Sequence, residues 1–466
     1  MTLITSISGI RGTIGGVPGS ALTPPDIIRF TSAYGDWLKS RNPGKTCSVV
    51  IGRDARISGA MVSSLVASTL CGMGIDVIDA GLSTTPSVEM AVPYHKAQGG
   101  IILTASHNPR QWNALKLLNE FGEFVSAADG EAILARAESN QARYAEVDAL
   151  GHITYDESSI ERHIRAILDL PLVDCDAIRT AGFRVVVDAV NSTGGIAVPM
   201  LLEALGVSNT IRLYCEPTGE FPHNPEPLPE HLSDLSSEVV INKAHLGLVV
   251  DPDVDRLAIV CEDGTMFGEE YTLVSVADYV LSRTPGNTVS NLSSTRALQV
   301  IAEKYSMQHT ASAVGEVNVV VAMKANQAII GGEGNGGVIL PELHYGRDAL
   351  VGIALFLSHL ARSGKSCKSL RSTYPDYYIS KNKLELEPGT DVEALVSAMQ
   401  SRYKDQPMNN VDGVRIEFGD EWVHLRRSNT EPIIRIYAES ASEEKADALA
   451  KRIVAELKER IPGIPA

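Results

Sequence analysis

The sequence has few features that would direct the chain to a membrane or to a disulfide-bonded fold. Its six cysteines are scattered and form no Cys-x-x-Cys pair, so they predict free thiols in a reducing compartment rather than a disulfide framework or a zinc site. No segment approaches the roughly 18 uninterrupted apolar residues of a membrane-spanning helix. The first six residues contain no basic region, so we expect no secretory signal and a cytoplasmic protein.

Basic residues are also fewer than acidic ones, with 41 lysines and arginines against 57 aspartates and glutamates. The formal net charge is −16, which disfavours nucleic acid and anionic membranes as partners. If the substrate is anionic, the cationic residues must therefore be concentrated in its site. The 466 residues are 44% hydrophobic and 21% charged, without a low-complexity tract. At roughly 100–200 residues per domain, this composition predicts three or four globular domains.

Several common catalytic motifs are missing. There is no Gly-x-Ser-x-Gly elbow, which argues against a nucleophile of the α/β-hydrolase type. Gly44-Lys45-Thr46 lacks the upstream glycine of a P-loop, because position 39 is lysine. The glycines at 332, 334 and 337 match a dinucleotide fingerprint only formally, since the apolar residues 338–341 follow where a helix should begin.

The stretch Thr104-Ala105-Ser106-His107-Asn108-Pro109 is the first that points to chemistry. The apolar residues 100–103 precede it and predict a buried strand. Asn-Pro then predicts a turn, which would place Ser106 at the carboxyl end of a strand, where open α/β sheets bind ligands. An ordinary capped turn explains this hexapeptide equally well on its own.

Alternating strands and helices occur three times along the chain. Each round ends with an apolar strand that leads into a polar loop: residues 99–103 into Ser106, residues 246–250 into Asp251, and residues 328–330 into Gly331. Residues 6–16 read as a glycine-rich loop that carries Arg11. The pattern predicts three related, mixed-sheet α/β domains at residues 1–150, 151–262 and 263–373. Residues 374–466 instead predict an α+β domain with an antiparallel sheet.

Asp251, Asp253 and Asp255 place three carboxylates within five residues. Their mutual repulsion favours a bound cation, and hard oxygen ligands suit Mg²⁺ or Ca²⁺. An EF-hand is rejected, because Arg256 replaces the glycine of its sharp turn and residues 257–261 read as a buried strand. A solvated acidic turn remains the alternative, although the preceding strand is strongly apolar.

Two further loops predict binding of a phosphorylated, polyhydroxyl ligand. Glu333 and Asn335 lie in a glycine-rich loop and can hydrogen-bond sugar hydroxyl groups. A second loop carries cations and hydroxyl groups suited to phosphate, namely Arg426, Arg427, Ser428, Asn429 and Thr430, with Arg435 nearby. Together with a phosphoryl-carrying serine, a carboxylate-held Mg²⁺ and the cations Arg11, Lys116 and Arg256, these loops fit transfer of a phosphate within a sugar phosphate.

These motifs, in this order and spacing, resemble the α-D-phosphohexomutase superfamily over essentially the whole chain. The start at residues 6–12 and the loop at residues 333–337 are most similar to prokaryotic phosphoglucosamine mutases. The resemblance implies four domains around a central cleft, of which three are alike and the last, residues 374–466, is similar to the TATA-binding-protein fold. It also implies a monomer or homodimer that binds a hexose phosphate.

The resemblance also implies a role for each site residue. Ser106 would be the phosphoserine, and with Asp251, Asp253 and Asp255 it would hold Mg²⁺. His107, Arg11 and Lys116 would manage protons and charge, and Arg256 would lie beside the metal loop. Glu333 and Asn335 would contact the sugar, while the distal phosphate would be bound by Arg426, Ser428, Asn429, Thr430 and Arg435. A sugar 1,6-bisphosphate would be the intermediate and the activator.

This chain departs from the superfamily pattern mainly where the substrate would be recognised. Asn335-Gly336-Gly337 replaces a common Ser-Gly-His, Arg427 replaces proline, and Ala114 replaces glycine before Lys116. The leading expectation is interconversion of glucosamine 6-phosphate and glucosamine 1-phosphate. Phosphoglucomutase or phosphomannomutase activity, a metal-dependent sugar-phosphate phosphatase, and a sugar-phosphate sensor without catalysis are the alternatives.

Overall fold

A computed structural model of the chain describes residues 2–6, 9–139, 141–387, 390–428 and 433–459. These residues divide into two compact units. The first contains residues 1–283 and 335–371, and the second contains residues 284–334 and 372–466. Within the described ranges, no helix is long and apolar enough to cross a membrane.

The first unit begins with a mixed sheet whose strand order is β1-β2-β6-β5-β3-β4-β7. Its strands are β1 (Ile4–Ser6), β2 (Gly9–Thr13), β3 (Cys47–Arg53), β4 (Ile75–Leu82), β5 (Gly99–Leu103), β6 (Trp112–Leu118) and β7 (Ile153–Tyr155). The helices of this region are α1 (Pro24–Arg41), α2 (Gly59–Gly72), α3 (Thr85–Tyr94), α4 (Ala127–Ser139), α5 (Ser159–Leu168) and α6 (Cys175–Ala181).

The central strands of this sheet are buried on both faces. In β5, Ile101 and Leu103 pack into one core with α1, α2 and α4, while Ile102 packs into another with α3. Successive side chains of a strand point to opposite faces, so a continuous apolar run is what a strand covered by helices on both sides requires. The strand predicted at residues 99–103 is therefore confirmed, and it ends just before Ser106.

The glycine-rich segment near the N-terminus is only in part the loop that the sequence predicted: residues 9–13 form β2, whereas Gly15 and Gly16 lie in a bend with positive φ. Strand β1 pairs antiparallel with β2, and β2 pairs with β6, so that Arg11 lies on a strand opposite Ala114. The first of these glycines serves close packing: a Cβ on Gly9, whose φ is +122°, would lie 2.4 Å from the Leu115 carbonyl oxygen. Glycine on β2 therefore permits contact between neighbouring chain segments, whereas Gly15 has no atom of the described residues within 4 Å of its Cβ position.

The next sheet has the order β11-β10-β8-β9. Its strands are β8 (Arg184–Asp188), β9 (Asn209–Leu213), β10 (Leu246–Val250) and β11 (Leu257–Cys261), and its helices are α7 (Gly194–Ala204), α8 (Ser233–Ile241) and α9 (Glu269–Arg283). Strands β8, β9 and β10 are parallel, but β11 returns antiparallel to β10. Residues 251–256 form the connection between β10 and β11. An EF-hand loop lies between two helices, so a strand on each side confirms the rejection of an EF-hand.

The second unit starts with another parallel arrangement, in which β12 pairs with β13 and β14. The elements are β12 (Thr288–Asn291), α10 (Ala297–Lys304), β13 (His309–Ser312), α11 (Glu316–Ala325) and β14 (Ile330–Glu333). The strand predicted at residues 328–330 thus begins later, and Glu333 ends a strand instead of lying in a loop. The chain then contributes β15 (Gly337–Ile339), α12 (Ala349–Ser363) and α13 (Cys367–Arg371) to the first unit.

The C-terminal region forms an antiparallel sheet of order β16-β20-β19-β18-β17, as predicted. Its strands are β16 (Tyr378–Glu385), β17 (Met408–Asn409), β18 (Val414–Phe418), β19 (Glu421–Arg427) and β20 (Ile433–Ser440), and its helices are α14 (Val392–Arg402) and α15 (Glu443–Lys458). Apolar side chains of both helices pack on this sheet around Ile434 and Ile436.

Candidate active site

The segment of residues 104–109, the serine loop, follows β5 directly. Ser106 is buried and has a φ of +49°, a region that residues other than glycine seldom adopt outside special sites. Its N–H donates to Thr104 Oγ1 at 2.9 Å. Its hydroxyl donates to Oδ2 of Asp251 at 2.7 Å. The structure therefore brings together the serine and the aspartate that the sequence analysis selected independently.

Arg56 holds the serine loop in this conformation. Its guanidinium is buried, and its Nε donates to Asp54 Oδ2 at 2.9 Å. It also donates to four backbone oxygens, those of Ser106, Asn108 (2.7 Å), Pro109 (2.8 Å) and Trp112 (3.1 Å). The sequence analysis missed this role. The charged residues that follow β3 could have indicated it. Strand β3 is the parallel neighbour of β5, so the residues after both strands lie at the same edge of the sheet.

Residues 251–256, the aspartate loop, carry three fully buried carboxylates. Asp251 Oδ1 accepts from the backbone N–H groups of Asp255 (3.2 Å) and Arg256 (3.1 Å), and Val254 has a φ of +64°. One oxygen from each of Asp251, Asp253 and Asp255 lies within 4.8 Å of the others. The tight loop therefore points all three carboxylates at one position.

Asp253 and Asp255 each have one carboxylate oxygen, Oδ2, that is bound by neighbouring side chains. Asp253 Oδ2 accepts from Lys116 Nζ at 2.7 Å and from Thr85 Oγ1 at 2.6 Å. Asp255 Oδ2 accepts from Arg347 Nη2 at 2.7 Å and lies 3.5 Å from Lys116. The other oxygen, Oδ1, of both Asp253 and Asp255 is buried and has no hydrogen-bond partner among the described residues. Three buried carboxylates with oxygens this close together, two of which have an oxygen that accepts no hydrogen bond from the described residues, are what a hard divalent cation requires, so the triad fits Mg²⁺.

The carboxylates and the lysine shift one another's pKa values. Burial alone would raise the pKa of Asp253, but the Lys116 ammonium holds that pKa well below its usual range. Burial alone would lower the pKa of Lys116, but Asp253 and Asp255 raise it. Burial, with the charges of Asp255 and Asp253, raises the pKa of Asp251. The site thus carries concentrated negative charge together with a lysine that stays protonated.

The other residues predicted in this region also face the two loops. His107 Nδ1 is 3.4 Å from Ser106 Oγ, and burial, followed by Arg256 and Arg11, lowers the pKa of His107. Arg256 is 3.8 Å from Glu226. Burial and the charge of Arg256 lower the pKa of Arg11, although the negative charge of Asp253 acts to raise it. His107 is therefore a neutral imidazole beside the serine, within a group of cations.

Thr85 and Arg347 were missed by the sequence analysis. Thr85 begins α3, 168 positions before Asp253, and Arg347 lies 92 positions after Asp255. Gly337 leaves room for this arginine, because a Cβ there would lie 2.4 Å from Arg347 Cδ. Asn335 belongs to the same unit, and its Oδ1 accepts from the Gly337 N–H at 3.3 Å.

The second unit contains its own group of predicted residues. Glu333 Oε1 accepts from Asn291 Nδ2 at 2.8 Å and from the Gly315 N–H at 3.1 Å. Arg426 lies directly opposite Arg435 on neighbouring strands. Burial lowers the pKa of Arg426, whereas Asp412 and Glu333 raise it.

Arg426 Nε is buried without a hydrogen-bond partner among the described residues. Ser428 is buried, and its N–H donates to the Ile433 carbonyl oxygen at 3.1 Å. The predicted residues Asn429 and Thr430 lie outside the described residues. The described part of this group thus offers two half-buried cations, Arg426 and Arg435, and the buried residue Ser428, whose side chains are suited to bind phosphate.

Comparison with known proteins assigns the chain to a family. Models described as "Phosphoglucomutase/phosphomannomutase, alpha/beta/alpha domain" I, II and III match residues 3–144, 161–264 and 268–377, and the C-terminal domain model of that family matches residues 384–456. A protein of Thermococcus kodakarensis named phosphoglucomutase/phosphomannomutase is 35% identical over 461 residues, which cover 97% of this chain and 99% of that protein. The chain belongs to the phosphoglucomutase/phosphomannomutase family.

Other relatives in this family carry different names. A phosphoglucosamine/phosphogalactosamine mutase of Sulfurisphaera tokodaii is 29% identical over 98% of both chains. The fold is shared with a solved family protein of Burkholderia thailandensis, with a TM-score of 0.83, 24% identity and 99% of both chains covered. Family membership confirms the predicted superfamily and fold class. It also establishes a phosphohexomutase, an isomerase-type enzyme that contains an acidic metal-binding triad.

Proposed function

We propose that this family member transfers phosphate between O6 and O1 of a hexose phosphate through Ser106, with glucosamine phosphate as the substrate. The hydrogen bond of 2.7 Å between Ser106 Oγ and Asp251 Oδ2 carries the proposal. It places the hydroxyl group at the carboxylate triad, where Asp253 and Asp255 each have an oxygen that accepts no hydrogen bond from the described residues. Mg²⁺ held by Ser106 and the three aspartates would supply positive charge beside the phosphoryl oxygens.

The proposed reaction starts with the phosphoryl group on Ser106 Oγ. The sugar hydroxyl oxygen forms a bond to phosphorus as the bond from phosphorus to Oγ breaks, and the hydroxyl proton passes to a base. His107, whose Nδ1 lies 3.4 Å from Ser106 Oγ, would be in position to accept or return that proton. The released Oγ takes up a proton. The bisphosphate then presents its other phosphate: Oγ forms a bond to that phosphorus as the bond from phosphorus to the sugar oxygen breaks, and the Oγ proton passes to the sugar oxygen. Lys116, Arg11 and Arg256 stabilise the charge of the transferred group.

Residues of the second unit are proposed to recognise the rest of the substrate. Arg426, Ser428 and Arg435 would bind the non-reacting phosphate, together with Asn429 and Thr430. The partnerless buried Nε of Arg426 supports this role. Glu333 and Asn335 would bind sugar hydroxyl groups. We also propose that residues 1–150 carry the phosphoserine, 151–262 the metal, 263–373 the sugar contacts and 374–466 the distal phosphate contacts.

The substrate can be decided with a panel of hexose 6-phosphates, each assayed with Mg²⁺ and a catalytic amount of its 1,6-bisphosphate. We expect the highest kcat/KM for glucosamine 6-phosphate, which the similarity to the Sulfurisphaera tokodaii mutase supports. Higher kcat/KM for glucose or mannose phosphates would establish the alternative, which the Thermococcus kodakarensis relative supports. Release of inorganic phosphate without isomer would instead identify a phosphatase.

The role of Ser106 can be tested separately from substrate choice. We expect Ser106→Ala to abolish isomerisation of every sugar and to remove the phosphoryl group from the intact chain in mass spectra. Ser64→Ala is the matched control, because Ser64 is exposed on α2 and its hydroxyl donates to the Ala60 carbonyl oxygen within the same helix. Full activity in Ser106→Ala would overturn the phosphoserine mechanism.

A further inference from the structure

A second group of metal-ligating side chains lies in the first unit. His163 of α5, His344, and Asp348 at the start of α12 each offer one donor atom, all within 4.8 Å of one another. His163 Nε2 is 2.9 Å from Asp348 Oδ2, and His344 Nε2 is 3.4 Å from the same oxygen. His163 and Asp348 are fully buried, and the His344 side chain is only 13% exposed.

Each of these side chains has a partner that orients it. His163 Nδ1 is 3.0 Å from Ser87 Oγ, and His344 Nδ1 is 3.4 Å from Glu89 Oε2. Asp348 Oδ1 caps α12 by accepting from the N–H groups of Leu350 and Val351. Metal-binding histidines commonly donate their other ring N–H to such a neighbouring acceptor. Both imidazoles therefore turn Nε2, and the aspartate turns Oδ2, toward a common point.

The spacing of these donors matches a small tetrahedral ion. Ligands about 2.0–2.1 Å from Zn²⁺ in tetrahedral geometry are roughly 3.3 Å apart, and the two separations from Asp348 Oδ2 are 2.9 and 3.4 Å. Two imidazoles favour zinc-like metals, whereas the oxygen-only aspartate loop favours Mg²⁺. We propose that His163, His344 and Asp348 form a second metal site, for Zn²⁺ or a similar first-row transition ion, with a fourth position left for water.

The backbone around the cluster supports this assignment. A Cβ on Gly346 would lie 1.9 Å from Glu89 Oε2, so glycine is required for Glu89 to reach His344. The same segments contact the aspartate loop: Thr85 of α3 bonds Asp253, and the Ala349 N–H donates to the Val254 carbonyl oxygen at 3.1 Å. The ion would therefore join α5, the segment of His344 and the start of α12, while Ser87 and Glu89 of α3 orient the two histidines. The site does not depend on the proposed substrate.

The test uses the full chain without an affinity tag, stripped of metal with a chelator. One equivalent of Zn²⁺ or Co²⁺ is added with excess Mg²⁺, which occupies the oxygen ligands of the aspartate loop. Retained metal is measured by mass spectrometry after desalting, and Co²⁺ geometry is read from its visible absorption. We expect one retained ion per chain and the intense absorption of four-coordinate Co²⁺. If the wild-type chain retains no ion or lacks this absorption, the cluster is a hydrogen-bonded network and the proposal is overturned.

Variants locate the retained ion. We expect His344→Gln and Asp348→Asn to lose it, while Asp253→Asn keeps it although its oxygen-ligand site is damaged. His359→Gln is the matched control, because the His359 side chain is 15% exposed, like that of His344, and lies beside Asp278 instead. Circular dichroism establishes that each variant is folded. A folded His344→Gln chain that binds Co²⁺ with an unchanged spectrum would also overturn the assignment.

Discussion

The Ser106 hydroxyl lies 2.7 Å from Asp251 Oδ2, although 145 positions separate the two residues in the chain. Hydrogen bonds that run through the segment after β3 hold this arrangement. The Ala55 N–H donates to Ser192 Oγ at 3.3 Å, and Ser192 Oγ donates to the Pro252 carbonyl oxygen at 2.6 Å. The next residue, Arg56, donates to backbone oxygens of the serine loop, so residues 55 and 56 link the serine loop to the aspartate loop.

Arg56→Met tests whether the serine loop depends on a buried cation. The change removes the donors to four carbonyl oxygens and leaves Asp54 buried without its ion pair. Removing one partner of a buried pair costs roughly 3–5 kcal/mol, so we expect the free energy of unfolding to fall by about that amount in urea titrations. We also expect kcat to fall, because Ser106 is no longer held in place.

Arg53→Met is the control for this prediction. Arg53 lies in the same charged segment, but its guanidinium is half-buried and donates to the Asp54 carbonyl oxygen. We expect this variant to lose well under half as much stability. Equal stability of the two variants would show that Arg56 does not maintain the serine loop.

Arg347→Met should raise the Mg²⁺ concentration needed for activity. Arg347 donates to Oδ2 of Asp255 and so fixes the orientation of a carboxylate whose Oδ1 accepts no hydrogen bond from the described residues. Losing a residue that orients a ligand typically lowers metal affinity roughly 10–100-fold. We expect half-maximal activation to shift by that factor, with most of kcat recovered at high Mg²⁺, in assays at saturating substrate.

Arg362→Met provides the matched control, since Arg362 lies on α12 and pairs with Asp174 at a half-exposed position. It should leave the Mg²⁺ requirement unchanged. If Arg347→Met lowers kcat at every Mg²⁺ concentration without shifting the requirement, Arg347 acts on the reaction rather than on the metal ligand.

The parts of the site that sequence could predict are those that follow apolar strands. The runs at residues 99–103 and 246–250 are buried on both faces, so the polar residues after them had to lie at a sheet edge. Arg347 and Thr85 could not be found in this way, because their contacts depend on how distant segments pack. Arg11 was predicted in a loop because its segment is rich in glycine. A glycine-rich sequence is found both in flexible turns and in strands that pack closely against their neighbours, and here Arg11 lies on such a strand.

His424 should make the second unit sensitive to acid. Burial lowers the pKa of His424 to about 4, even though the bond from its ring to the Asp412 carbonyl oxygen acts to raise it. The unfolded value is about 6.5, so the unfolded state binds more protons between these limits. Stability is therefore full above pH about 6.5 and falls by up to about 3 kcal/mol as the pH approaches 4.

Hydrogen–deuterium exchange of β18, β19 and β20 across this pH range checks the prediction. Because the chemical rate of exchange itself varies with pH, protection factors are compared. His424→Gln should reduce the loss of protection at low pH, whereas His152→Gln, at an exposed position, should not. The same decline in wild type and His424→Gln would assign the acid sensitivity to another group.

Gly337→Ala should reproduce part of the Arg347 defect without removing any charge. The new Cβ would lie 2.4 Å from Arg347 Cδ and 3.0 Å from its Cγ, so the arginine side chain must move and its bond to Asp255 must weaken. We expect a higher Mg²⁺ requirement in Gly337→Ala but little further change when the substitution is added to Arg347→Ala, because the clash is then gone. Such non-additivity is typical of residues in direct contact.

Gly352→Ala is the control, since its Cβ would meet atoms no closer than 3.4 Å. Additive effects in the double variant would mean that Gly337 influences the metal site by a route other than Arg347.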